Sequence, residues 1–345
     1  MPGSANLIPR NRLKWIPKNL RLAHEYCFFL HDEGARLLVE YEKEQAHLVS
    51  VKFRHKAESK AFSKISENED PIAALRSLGY ESEARRAILN NITMGMVSDC
   101  LHHIYEALRC LEKRKVIVAL NLLRKPLTDS LLYLSWIFGD EDGFYHAFTQ
   151  NSPHGITSSI LKSRRNEILS AALRKTELGT IIDADFIDEI LFDQTDSSGF
   201  QMLFQHAVHL VTVQRVALQT TSENFNFIFK NYADDDLYEF VYEFLPHVFI
   251  YLTHVVFGLF ERIAIPDTGS KSAFYVRSVL GLHLVGGNGA EKFAFKILKK
   301  LPLQCPNCSL ALKLTIHNAA RLVLSESFRC TKCRHAQPFP FSWIF

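Results

Sequence analysis

Four of the seven cysteines fall in two pairs near the C-terminus, Cys305-Pro-Asn-Cys308 and Cys330-Thr-Lys-Cys333, with 21 residues between the pairs. Two Cys-x-x-Cys turns present four soft thiolates, the donor set of a tetrahedral structural Zn²⁺. A four-sulfur shell leaves no open coordination position, so the spacing predicts a metal that holds a fold together and does not itself catalyse. His317 and His335 lie near the pairs, but with the shell closed they read as surface residues. Cys27, Cys100 and Cys110 sit in apolar, helix-like surroundings and read as buried free thiols. An odd remainder together with a thiolate site points to a reducing compartment, the cytoplasm.

The second chemical signal is charge. The chain carries a net +3, but the segment from Lys296 to the end holds eight basic residues against one acid, Glu326. That makes the tail +7 and leaves the preceding 295 residues at −4. A one-signed patch attracts polyanions. Lys313, Arg321, Arg329, Lys332 and Arg334 are the candidate phosphate contacts for a nucleic acid or a nucleoprotein, with Phe339 or Trp343 placed to stack on a base. The same charges would also suit a protein partner, a homo-oligomer, or docking on the chain's own acidic stretches at Asp183–Asp196 and 234–236.

Other constellations are weaker. Glu44-x-x-His47 and Asp99-x-x-His102, with Glu33 and Glu106, have the helical spacing of a di-iron site. Their charged surroundings fit a salt-bridged surface better. Asn121, Arg124, Lys125, Thr128, Asp129 and Ser135 form a polar stripe along an otherwise apolar helix. Such a stripe must line a ligand cleft or a partnered interior network, and His206 and His209 are placed to face it. No phosphate-binding loop, dinucleotide fingerprint or nucleophile elbow is present, and Gly286-Gly-Asn-Gly289 follows a helix, so it reads as a turn.

Periodicity supplies the frame. Residues 1–19, with Arg10, Arg12, Lys14 and Lys18 between prolines, read as a loosely ordered basic arm docked through Leu13 and Trp15. A helical bundle is expected over residues 20–265, from helices at Leu20–Phe53, Pro71–Leu78, Glu81–Leu111, Val116–Phe138 (kinked at Pro126), Ile156–Leu178, Phe200–Thr220 and Leu237–Ile265. Residues 266–301 read as connecting helices. In 302–345 the alternation of Leu310, Leu312, Leu314 and Ile316 predicts a strand, Arg321–Phe328 its return, and Phe339 to Phe345 a last one. The fold class is mainly α: a large multi-helix bundle followed by a small C-terminal β zinc ribbon. Phe244–Phe260 is the most membrane-like stretch, but it is too short for a bilayer and contains Pro246, His247 and His254, so it reads as a buried core helix and no membrane association is expected.

The paired cysteines resemble a generic four-cysteine zinc ribbon. The helical body resembles the HEPN-like class of nucleotide-binding and RNA-cutting proteins, whose active members carry Arg followed after four to six residues by His. Here Arg277-Ser-Val-Leu-Gly-Leu-His283 has that spacing. The resemblance implies Arg277 and His283 as catalytic residues of a metal-independent ribonuclease, and a setting in bacterial abortive-infection, antiviral defence or stress systems.

Overall fold

The computed structural model describes residues 4–150, 153–157, 161–193, 199–212, 219–223, 225–226, 235–287, 289–301 and 303–344. It is mainly α with a very small sheet. The helices are α1 (Arg21–Lys43), α2 (Lys56–Ser66), α3 (Pro71–Ser77), α4 (Glu81–Leu111), α5 (Val116–Lys125), α6 (Leu131–Gly139), α7 (Glu141–Thr149), α8 (Arg165–Leu173), α9 (Ala184–Phe192), α10 (Phe200–Val208), α11 (Asp236–Ile263), α12 (Thr268–Val285), α13 (Glu291–Leu298) and α14 (Ile316–Ser325). The strands β1 (Ser327–Arg329) and β2 (Ala336–Pro338) pair antiparallel, with Phe328 opposite Gln337.

α1 packs against α4 and α11, α5 against α4 and α10, and α6 against α8 and α11. The apolar window of α11 that resembles a membrane span is 78% buried, so its apolar surface is already covered by the other helices. Two glycines permit close approaches. A Cβ on Gly258 would stand 2.4 Å from the Phe138 ring, and one on Gly281 would stand 2.5 Å from that of Tyr26. Gly281, inside the Arg277–His283 spacing, is thus where α12 meets α1.

Several boundaries differ from the periodicity. α1 ends at Lys43, not near Phe53. Gln45 takes a left-handed φ of 53°, and the amides of Gln45 and Ala46 donate to the carbonyls of Glu42 and Tyr41 at 3.0 and 2.9 Å. This two-bond helix stop usually carries glycine at the left-handed position, and glutamine there hides it from a reader of sequence. The polar stretch that follows forms α2, whose Phe62 joins Phe53, Ile72, Leu75 and Tyr80 in a satellite core. The expected Phe200–Thr220 helix stops at Val208, and residues 213–218 lie outside the described set. So do Asp234 and most of the acidic stretch beyond Asp193.

The N-terminal segment is not a loose arm. Ala5, Ile8, Leu13 and Ile16 are buried in the main core, whereas Trp15 is 44% exposed. The buried Glu25 carboxylate accepts from the Ser4 hydroxyl at 2.8 Å and from the amides of Ala5, Leu7 and Ile8 at 2.5, 2.9 and 3.3 Å. Burial raises the pKa of Glu25 while these four donors lower it. Arg12 adds an ion pair to the buried Glu112 at 2.6 Å. A carboxylate on α1 thus gathers the chain's beginning, and the local sequence gives no sign of it.

The largest correction concerns the tail. Arg321–Phe328 is not the return strand of a hairpin; residues 316–325 are helix α14. Ile316, Ala319, Ala320, Val323 and Leu324 recur at helical spacing, and Thr315 caps the start by accepting from the Asn318 amide. The last residues form a 3-10 turn over Phe341–Ile344 in place of a strand. Ala319, Ala320, Leu322, Val323, Leu324, Phe328 and Phe341 belong to the same core cluster as α1, α4 and α11.

One buried cation fastens this segment. Arg277, on α12, donates from Nε to the Val323 carbonyl at 2.8 Å and from its terminal nitrogens to Leu324 O at 3.1 Å and Glu33 Oε1 at 2.9 Å. Glu326 lies 3.2 Å away, and the Phe29 ring stacks beneath at 4.8 Å. Arg277 therefore satisfies the open carbonyl end of α14, where a cation also meets the negative end of the helix dipole. Replacing Arg277 with Ala strands two carbonyls and leaves Glu33 with Arg36 alone, and is expected to cost about 3–5 kcal/mol in urea unfolding followed by far-UV circular dichroism. A loss below about 1 kcal/mol would show that the contacts do not secure the tail.

Candidate metal centre and its basic surround

The two Cys-x-x-Cys segments fold alike, bond for bond. In each, the amide of the first cysteine donates to a carbonyl five residues on: Cys305 to Leu310 and Cys330 to His335, both at 2.9 Å. In each, the residue after the second cysteine donates back: Ser309 to Cys305 at 2.8 Å and Arg334 to Cys330 at 3.0 Å. Both of those residues, Ser309 and Arg334, take positive φ, 55° and 60°. The short Gln304–Ala311 bridge closes the first knuckle, and β1 and β2 close the second.

These turns bring all four sulfurs within 4.8 Å of one another, with Cys305–Cys333 at 3.5 Å and Cys308–Cys330 at 3.6 Å. Such separations are too long for disulfides. They match the edges, about 3.8 Å, of a sulfur tetrahedron with metal–sulfur bonds of about 2.3 Å. The four cysteines can therefore hold a metal ion, as their spacing predicts.

Local dipoles prepare the donors unequally. The His335 amide and then the Asn307 side chain hold the Cys333 thiol down at about 6. The Cys333 amide, ahead of the Lys332 amide, lowers Cys330. The Leu310 amide pulls Cys308 down as well, but desolvation and the neighbouring sulfurs outweigh it and leave that thiol at about 11. Away from the site, burial pushes Cys100 up to about 12 and Cys27 higher still, as inert interior thiols require.

Around this centre Lys313, Arg329, Lys332 and Arg334 are exposed, and Arg321 is half-buried. Arg321 donates to the Ser327 hydroxyl at 3.2 Å, and Arg329 to the Arg334 carbonyl at 3.0 Å. Among the described residues none of the five forms an ion pair with a carboxylate. The tail's one acid, Glu326, is turned inward, accepting the Phe341 amide at 2.7 Å and facing Arg277. His317 is exposed and outside the metal shell, its Nδ1 2.9 Å from Ser4 O. Phe339 is half-buried against the core and is not a free stacking platform; the Trp343 side chain lies outside the described set.

α13 extends the basic surface. Lys292, Lys296, Lys299 and Lys300 are exposed, with Phe293 among them at 48% exposure, while Ala294 and Leu298 face inward. The four- and seven-residue intervals between these lysines are legible in the sequence, but reading the basic tail as a property of the cysteine module leaves them out as phosphate contacts.

The Arg277–His283 spacing is not brought together as a pair. Six residues on a helix turn the two side chains about 120° apart. Arg277 is engaged as described above, and His283 has its Nδ1 2.9 Å from the Val279 carbonyl and its ring 4.7 Å from that of Phe293. The acid–histidine spacings are dispersed as well. Glu33 pairs with Arg277 and Arg36, and Asp99 pairs with Lys125 at 2.7 Å. Among the described residues the four cysteines are the one group arranged to hold a metal.

The polar stripe divides. Ser135 is buried against the Tyr251 hydroxyl at 2.8 Å, and Asn121 reaches the Ala207 carbonyl at 3.4 Å. Arg124, Thr128 and Asp129 instead line a cleft. Comparison with protein-family models, with curated proteins and with solved structures finds no match, so the chemistry of these sites rests on their own residues.

Metal binding must displace thiol protons, that of Cys308 being the one held most firmly by its surroundings, so affinity falls as pH falls. The purified chain is expected to carry one equivalent of metal by elemental mass spectrometry at pH 7.5, and to lose it progressively below about pH 5. Cys330→Ser is expected to carry none. A full equivalent in that variant would mean that the metal sits elsewhere.

Proposed function

We propose that the four thiolates hold a structural Zn²⁺, and that the cationic surface they shape binds nucleic acid, free or within a nucleoprotein. The observation that carries this reading is the charge arrangement. Lys313, Arg329, Lys332 and Arg334 stand exposed around the four cysteines without carboxylate partners among the described residues, while half-buried Glu326 is paired with Arg277. Unpaired cations held on a rigid support suit phosphates: binding releases counterions, and little side-chain order is lost elsewhere. The lysines of α13 lengthen the surface, and Arg321 supports it through Ser327. A four-sulfur site favours Zn²⁺ because the ion accepts tetrahedral thiolate coordination without redox chemistry. Four knuckle cations make few base-specific contacts by themselves, so the reading is phosphate-led binding with modest sequence preference.

Fluorescence anisotropy with labelled RNA and DNA oligonucleotides tests it. A plot of log affinity against log salt is expected to have a slope near −3 for four contacts on a single strand. Lys332→Glu with Arg334→Glu should weaken binding by at least about tenfold and make the slope shallower by roughly one to two. No binding to any oligonucleotide at low salt would end this reading.

A further inference from the structure

We propose that the cleft at the α5–α6 junction is a binding site for a small phosphate-bearing anion, separate from the basic tail. Its walls are Arg124, Thr128, Asp129, Lys162, Arg165 and Gln201, with Leu132 and Phe192 as apolar cover, around about 160 Å³. That space suits a phosphate group with a few attached atoms and is small for a drug-sized ligand.

Three features of the backbone and the charges converge there. The first is the helix itself. Pro126 opens a π-helical turn over Pro126–Ser130 between α5 and α6. Single π-turns inside α-helices recur at functional sites because they re-aim side chains. Here the turn sets Arg124, Thr128 and Leu132 along one wall, and Thr128 is tied by its hydroxyl to the Arg124 carbonyl at 2.6 Å.

The second is the cation set. Arg124 is half-buried and has no ion-pair partner among the described residues, and Lys162 is exposed at the rim, also without one. Arg165 stands 2.9 Å from Asp188 without the alignment of a hydrogen bond, and its Nε is buried and unsatisfied. Its guanidinium is stacked 4.6 Å from the Phe192 ring, which fixes the plane. Desolvation raises the pKa of Asp188, and the attraction of Arg165 lowers it.

The third is the composition of the remaining wall. Thr128 and Gln201 add neutral hydrogen-bonding groups, and Asp129 is exposed at the edge. A bare anion is opposed by Asp129, whereas a phosphomonoester carrying a hydroxyl can place its phosphate against Arg124 and Lys162 and donate from the hydroxyl to Asp129. Arginine forks match phosphate oxygens in a way that a solvated surface pair does not. The chemistry that fits is therefore a small hydroxylated phosphomonoester.

Titrating the full-length, metal-loaded protein with ribose 5-phosphate and with inorganic phosphate, followed by ³¹P NMR, tests the assignment. Millimolar or tighter binding of ribose 5-phosphate is expected, with inorganic phosphate several-fold weaker. Arg124→Ala and, independently, the rim variant Lys162→Ala should each weaken it by about tenfold; Lys162 is exposed, so its variant keeps the fold. The tail variant Lys332→Glu with Arg334→Glu should bind ribose 5-phosphate as the native chain does. No binding at 20-fold higher ligand, or binding undiminished in Lys162→Ala, would overturn the site. Binding lost only in the tail variant would do so too, placing the phosphate on the other surface.

Discussion

A single guanidinium ties the last forty residues to the rest of the molecule. Arg277 sits where α12, the Glu33 turn of α1 and the C-terminal end of α14 converge, and its nitrogens are divided between one carboxylate and two helix-terminal carbonyls. A buried cation is tolerable only when it is hydrogen-bonded, and here the partners are supplied by two helices far apart in sequence, α1 and α14. Glu326 closes the arrangement from the strand side and in doing so engages the tail's one negative charge with Arg277. The cationic character of the outer face is therefore a consequence of how the inner face is satisfied.

This changes the meaning of the four-cysteine centre. A free-standing ribbon owes its stability to the metal, because its own core is too small. In this chain the segment between the knuckles is a helix whose apolar side lies in the main core, and its end is held by arginine. A metal held by the four cysteines would then have a narrower task, which is to clamp two loops together over a helix that the bundle already holds. The beginning of the chain joins the same assembly: residues 4–8 are gathered on Glu25, and the Ser4 carbonyl meets His317.

The parts of this that are legible in the sequence are those whose physics is local. Cysteine spacing locates the four-sulfur cluster, and 3.6-residue periodicity locates α4 and α11 to within a few residues. A run of one-signed charge marks the basic surface. What is not legible depends on partners distant in sequence. The strand reading of 321–328 follows from Leu322 and Leu324 in alternation, although Ile316, Ala319, Ala320, Val323 and Leu324 also carry the helical interval; burial against α12 decides between them, and no local pattern contains it. The end of α1 is hidden because Gln45 occupies a conformation usually marked by glycine. Arg277 stands out in the sequence for its distance from His283, when its role is set by Glu33, 244 residues earlier.

The clearest test of this architecture is hydrogen exchange of the full chain, read by mass spectrometry before and after metal removal with a chelator. If the knuckles are a clamp over a helix that belongs to the bundle, deprotection will be confined to residues 303–315 and 326–340. The amides of α14, over Ile316–Ser325, will then keep their slow exchange along with α12. Loss of protection across α14 in step with the knuckles would contradict the account. It would mean that the metal nucleates the whole tail and that Arg277 merely rests against it.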